Sequence, residues 1–160
     1  DVLWAGELMI LVYPRLAVAV HALTGERQWE AAVAFDIRDA RICGDLLFVG
    51  RPKQGREAAM IRLATGELLW QRDFSDLPAR AQLTFDASAW DGQHLHLLSS
   101  KLSYRNDGPA DLLVRPTDGC IEAVRPFGNV SRPYVSISER FQMGFPSAVK
   151  AARMPCVPCM

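Results

Sequence analysis

Along this chain, short apolar runs alternate with glycine-containing breaks, and almost nowhere does an apolar residue recur at the spacing of a helix face. Leu8-Met-Ile-Leu-Val12, Leu16-Ala-Val-Ala-Val20, Leu46-Leu-Phe-Val49 and Leu95-His-Leu-Leu98 are rich in β-branched and large apolar side chains and are bounded by turn formers, a pattern that predicts strands. Leu8–Val12 and Leu46–Val49 are apolar at consecutive rather than alternate positions. Burial on both faces of those strands is therefore expected.

Two markers organise the runs and return in the same order. A Thr-Gly-Glu turn with tryptophan four positions beyond its glycine occurs as Thr24-Gly25-Glu26 with Trp29, and 41 residues later as Thr65-Gly66-Glu67 with Trp70. A weaker third copy centres on Gly119, where the threonine is displaced to Thr117 and Ala123 stands in the tryptophan position. Upstream of each copy, Gly6, Gly44 and Gly92 precede an apolar run. The distance from the first marker glycine to the second grows from 19 to 22 to 27 residues. The growth falls in a middle connection, centred on Tyr13-Pro14-Arg15, then on Arg51–Arg56, then on about residues 101–109. Turns that hold while a loop varies mark a structural repeat.

Each unit thus reads as strand, glycine turn, apolar strand, connection, strand, Thr-Gly turn and strand. The expected division is a partial first blade over 1–34, a second over 35–78, a third over 79–128, and a degenerate fourth start with a tail over 129–160. Glycine in the Thr-Gly turn can adopt the positive φ that a tight hairpin requires. The tryptophan then falls on the outgoing strand, where an indole would fill the wedge between neighbouring sheets. The predicted fold class is all-β: a propeller segment of about three four-stranded antiparallel blades stacked around an axis. Propellers close with about four to eight blades, so the expectation is a segment of a longer chain. Two unclosed blade faces would expose apolar surface, which predicts self-association or contact with remaining blades.

The turn resembles the tryptophan-docking repeat Ala-x-Asp-x-x-Thr-Gly-Lys-x-x-Trp of the PQQ-like (quinoprotein alcohol dehydrogenase-like) β-propellers. Ala19, Thr24, Gly25 and Trp29 match it in the first unit, and Thr65, Gly66 and Trp70 in the second. The aspartate is replaced by His21, Arg62 and Arg115, and the lysine by Glu26, Glu67 and Cys120. The resemblance covers about residues 1–128 and implies structural docking roles for Thr24, Gly25, Trp29, Thr65, Gly66, Trp70 and Gly119. Similar repeats occur in quinone-dependent dehydrogenases, in outer-membrane assembly lipoproteins of the BamB kind, and in propellers without known chemistry. A periplasmic or otherwise extracytoplasmic place is implied by the resemblance alone, and the residues leave the cytoplasm open.

Composition removes some functions. Eighteen Lys and Arg balance eighteen Asp and Glu, and the sequence pI is near 7.0. No electrostatic attraction to nucleic acid or to an anionic membrane follows from such a balance. The longest apolar stretch is broken by Pro14 and Arg15, so no transmembrane segment is expected. Four cysteines, Cys43, Cys120, Cys156 and Cys159, are too few and too scattered for a disulfide scaffold.

The candidate chemistry is correspondingly modest. The dehydrogenases that the repeat resembles carry a calcium-bound quinone, a catalytic Asp, Asn or Glu ligands, a stacking Trp and a pair of adjacent cysteines, and none of that set maps onto residues here. No catalytic residue and no cofactor is expected. Cys156-Val-Pro-Cys159 has the spacing of a redox pair or of half a metal knuckle, with no second pair to complete the latter. His94 and His96 alternate on a predicted strand and so share a face, with no carboxylate at a clear spacing to make a metal site. Arg51, Lys53 and Arg56 in the second connection, with Tyr104, Arg105 and Asn106 in the third, lie at the end of the sheets where the blades are linked. Aromatic and arginine side chains there suit contact with a protein partner. The reading is a non-catalytic propeller scaffold for protein contacts, with a dehydrogenase fragment and a BamB-like assembly factor as alternatives.

Overall fold

A computed structural model describes residues 1–52, 56–74, 82–83, 85–99, 102–103, 110–126 and 152–153. The first sheet is a meander of β1 (Val2–Ala5), β2 (Leu8–Tyr13), β3 (Leu16–His21) and β4 (Arg27–Ala32), paired antiparallel in that order. The second sheet repeats it with β5 (Asp39–Cys43), β6 (Leu46–Gly50), β7 (Glu57–Arg62) and β8 (Leu68–Asp73). A short pair, β9 (Gln82–Leu83) with β12 (Leu102–Ser103), stands apart from the third sheet. That sheet runs β10 (Ala87–Trp90), β11 (Leu95–Ser99), β13 (Ala110–Val114) and β14 (Ile121–Pro126), with β15 (Ala152–Arg153) added beyond β14. The chain is thus nearly all β, built on three four-stranded antiparallel units.

The register explains which residues meet. Leu3, Ile10, Ala19 and Trp29 lie opposite one another across the first sheet, as do Trp4, Met9 and Val20 on its other face. The Leu3 face packs against the second sheet in one apolar core that joins Ile10, Ala17, Ala19 and Trp29 to Leu47, Val49, Ala59 and Ile61. The opposite face of the second sheet, with Cys43, Phe48, Ala58, Met60 and Trp70, forms the next core with Leu95, Leu97, Leu112 and Val114 of the third. All of β6 is buried, as its uninterrupted apolar run predicts, because a sheet covers each of its sides.

Each unit also carries a bulge at the same place. Ala19 pairs with Trp29 and Val20 with Arg27, leaving Gln28 as the extra residue. Leu69 and Glu122 are the extra residues in the second and third sheets. A bulge one residue before the tryptophan position changes the local twist and re-aims the side chain that follows it.

Candidate functional site

The most repeated local structure is the turn before the last strand of each sheet. Gly25, Gly66 and Gly119 have φ of 71°, 73° and 69°, the left-handed region in which a side chain costs roughly 1–2 kcal/mol. Gly66 N–H donates to the Arg62 carbonyl at 2.8 Å, and Glu67 N–H donates to Thr65 Oγ1 at 3.3 Å. Gly25 and Glu26 make the same two bonds, to the His21 carbonyl and Thr24 Oγ1. In the third turn Gly119 N–H donates to the Arg115 carbonyl, and Asp118 takes the threonine's place by accepting from Cys120 N–H at 2.9 Å. Asp118, not Thr117, is therefore the counterpart of Thr24 and Thr65.

These turns receive the tryptophans of the neighbouring sheet. Trp29 Nε1 donates to the Leu63 carbonyl at 2.7 Å, and Trp70 Nε1 donates to the Pro116 carbonyl at 2.7 Å. Leu63 and Pro116 both stand three residues before the turn glycine. Each indole lies against that glycine: a Cβ on Gly66 would sit 2.8 Å from Cβ, Cγ and Cδ2 of Trp29, and one on Gly119 would sit 2.8 Å from Cδ2 of Trp70. Glycine is required there twice over, by φ and by close approach. Arg72 adds a further bridge, donating from Nη1 to the Gly119 carbonyl at 2.9 Å. Beside this second dock, a cavity of about 420 Å³ is lined by Cys43, Asp45, Arg62, Trp90, Gln93 and Thr117 among others. Burial pushes the Cys43 thiol up to about 11, so it stays protonated at neutral pH and is no thiolate nucleophile.

At the other end of the sheets, the middle connections meet the links between sheets. Val33 N–H donates to the Arg15 carbonyl and Arg38 N–H to the Gly50 carbonyl. Asp36 is held below its ordinary range by a hydrogen bond from Arg15, with Arg51 and Arg38 adding their charge. Arg51 lies 3.6 Å from Glu57, and Tyr13 is half exposed at the tip of the first connection. Arg56 stands just before β7, its carbonyl accepting from Phe74 N–H. Lys53, Tyr104, Arg105 and Asn106 lie outside the described residues, as do Cys156 and Cys159.

A third arrangement escaped the sequence reading. Only His96 lies on β11; His94 stands just before it, and carboxylates join the two rings, with Asp91 Oδ2 3.6 Å from His94 Nδ1 and 3.0 Å from His96 Nε2. His96 is 3% exposed, with Nδ1 at 3.0 and 2.9 Å from the two oxygens of Asp111 and Nε2 at 3.0 Å from Asp91. His94 lies 3.3 Å from Glu122, which also accepts from Arg115 Nε at 2.6 Å. Burial opposes a charge on His96, yet hydrogen bonds to Asp111 and Asp91 outweigh it and raise its pKa above the ordinary value. Burial likewise works against the Asp91 carboxylate, while backbone N–H groups of His94 and Gln93 and the His96 ring hold it well below the usual range. Among the described residues no three His, Cys, Asp or Glu side chains are placed to share a metal ion. The network is an ion-paired histidine. A signal for it existed, since His96 and Asp111 occupy the places of Phe48 and Ala58 in the preceding unit.

Comparison with solved structures agrees on the fold. BamB from Moraxella catarrhalis superposes with a TM-score of 0.52 at 18% identity, covering 79% of this chain and 36% of that one. Quinohemoprotein alcohol dehydrogenase from Comamonas testosteroni gives 0.55 at 16% identity, covering 88% of this chain and 23% of that one. The three sheets match propeller blades of these proteins, and the chain spans about a third and a quarter of their lengths. No family model matches the chain, and no curated protein matches it in sequence.

Proposed function

We propose that this chain is a PQQ-like propeller segment that serves as a non-catalytic scaffold, contacting a protein partner through the end where its middle connections gather. One observation carries the reading. Arg15, Arg38 and Arg51, drawn from two connections and one inter-sheet link, converge around Asp36 beside the exposed Tyr13. Arginine and tyrosine on a rigid rim are the side chains that protein interfaces favour. The rim is rigid because each sheet is fastened to the next by an indole hydrogen bond and a continuous apolar core. Arg56, whose carbonyl accepts from Phe74 N–H, extends the same rim in this reading.

The test places a photo-reactive benzophenone amino acid at Pro52 and irradiates the protein in its own cells. One discrete protein adduct, lost on Arg51→Glu with Arg56→Glu, is the expected result. An adduct that survives both charge reversals, or none at all, defeats the reading. Tight calcium-dependent quinone binding by the intact protein would instead favour the dehydrogenase alternative.

A further inference from the structure

In each sheet the residue after the first marker glycine lies beside the residue four before the turn glycine. In the second sheet these are Asp45 and Arg62: Leu46 pairs with Arg62 across β6 and β7, and the Asp45 carbonyl accepts from Leu63 N–H at 3.0 Å. The same places in the first sheet hold Glu7 and His21, which close on each other with His21 Nε2 3.7 Å from Glu7 Oε2. In the second sheet they stay apart. Asp45 is a methylene shorter than Glu7, and Arg62 donates from Nε to Glu67 Oε2 at 3.0 Å instead. The Asp45 carboxylate is thereby left without a partner among the described residues, and both Nη groups of Arg62 are left unengaged there. Both side chains line the cavity of about 420 Å³ between the second and third sheets, at the end opposite the rim. The third sheet contributes the half-buried Trp90 to this cavity, and Leu46 and Leu69 add apolar wall from the second.

We infer that this cavity binds a free α-amino acid with an apolar side chain. Asp45 receives its ammonium group, the Nη groups of Arg62 receive its carboxylate, and its side chain lies against Trp90, Leu46 and Leu69. An α-amino acid carries opposite charges on neighbouring carbons, which suits two neighbouring side chains of opposite sign that do not pair with each other. Arginine's planar fork matches a carboxylate in particular. A ligand with a single charge would leave one of the two side chains unanswered. The volume falls in the range of about 300–1,000 Å³ typical of small-ligand sites, and apolar walls with a few converging polar groups are their usual lining. The site uses no residue of the rim, so it stands or falls apart from the partner reading.

Titration calorimetry of the intact protein with L-leucine and with L-phenylalanine tests this. At least one of them should bind at a single site per chain. Its N-acetyl derivative, which has no ammonium group, and the matching amine without a carboxylate, isopentylamine or 2-phenylethylamine, should each bind at least about tenfold more weakly. Asp45→Asn removes the charge and keeps the shape, so it should weaken the amino acid about tenfold and abolish its advantage over the N-acetyl derivative. Glu7→Gln, at the matching place in the first sheet, should leave the affinity unchanged. Failure of both amino acids to bind, equal binding of amino acid, N-acetyl derivative and amine, or an affinity that survives Asp45→Asn would overturn the inference.

Discussion

The second and third sheets present the same strand positions on their far faces and fill them in opposite ways. The second offers Cys43, Phe48, Ala58, Met60 and Trp70, an apolar surface that ends in an indole and is covered by the third sheet. The third offers Asp91, His96, Asp111, Leu113 and Ala123, in which a buried ion-paired histidine replaces the aromatic and the indole is gone. The backbone does not register the change. Gly119 keeps its positive φ, Asp118 keeps the turn bond and Glu122 keeps the bulge. Hairpin and bulge are therefore local properties of the turn sequence, whereas what packs on a sheet is decided separately by the strand residues that face it.

The largest expected effect attacks the polar face. Asp111→Ala removes one of two carboxylates from a buried imidazolium, and breaking a buried ion pair costs about 3–5 kcal/mol. Urea denaturation should show that loss. Adding His96→Phe gives the third sheet the Phe and Ala of the second, and most of the loss should return because the uncompensated charge is removed. A single-variant change under about 1 kcal/mol would mean that the network is solvated and that the two faces differ less than their chemistry suggests.

A smaller effect sharpens the contrast between a turn glycine with an indole against it and one without. Gly66→Ala incurs left-handed strain of roughly 1–2 kcal/mol and also forces a methyl into Trp29, an overpacking cost of about 1–3 kcal/mol. Gly25→Ala incurs only the strain in the 160-residue chain, since its surroundings are open. The difference between the two variants in thermal or urea unfolding measures the close approach alone. Equal losses in the isolated chain would show that the indole moves aside without cost, and the requirement for glycine would reduce to its φ.

How far the sequence reached depends on how local each feature is. The blade plan was legible in Gly25, Gly66, Trp29 and Trp70 because a positive φ and an indole dock each admit few residue types and recur at fixed spacing. The third turn was blurred because Asp118 performs the threonine's hydrogen bond with a different side chain. The His96 network was hidden for another reason. Its partner Asp111 is 15 residues away, across a connection of variable length, so the pair shows only when each residue is counted from its own marker glycine, Gly92 for His96 and Gly119 for Asp111. The two substitutions look unrelated until β11 and β13 are paired, when polar residues at two normally apolar places become one compensated site. The rim was legible only in part, through the arginine content of its connections; its centring on Asp36 depends on a contact between Arg15 and a link 21 residues on.

The smallest effect is a pH slope near neutrality, where the third sheet holds the histidine whose pKa is raised. His96 has a folded pKa above its ordinary value of about 6.5, so its contribution is fully present below that pH and is lost as pH rises through the folded pKa. Each unit by which the folded value exceeds the unfolded one corresponds to about 1.4 kcal/mol. Asp91 is shifted the other way, so its contribution holds above its ordinary value of about 3.8 and is lost as pH falls below it. Stability should therefore be greatest between those limits, in mildly acidic solution, and decline toward alkaline pH. Thermal melts across that range should show the alkaline decline in the parent chain and a flatter profile in the His96→Phe, Asp111→Ala pair. If the pair declines as steeply as the parent, or if the parent gains stability on going alkaline, the histidine is not held as a cation between its two carboxylates. The far face of the third sheet would then be a neutral hydrogen-bonded surface, much closer in kind to the apolar one it was contrasted with.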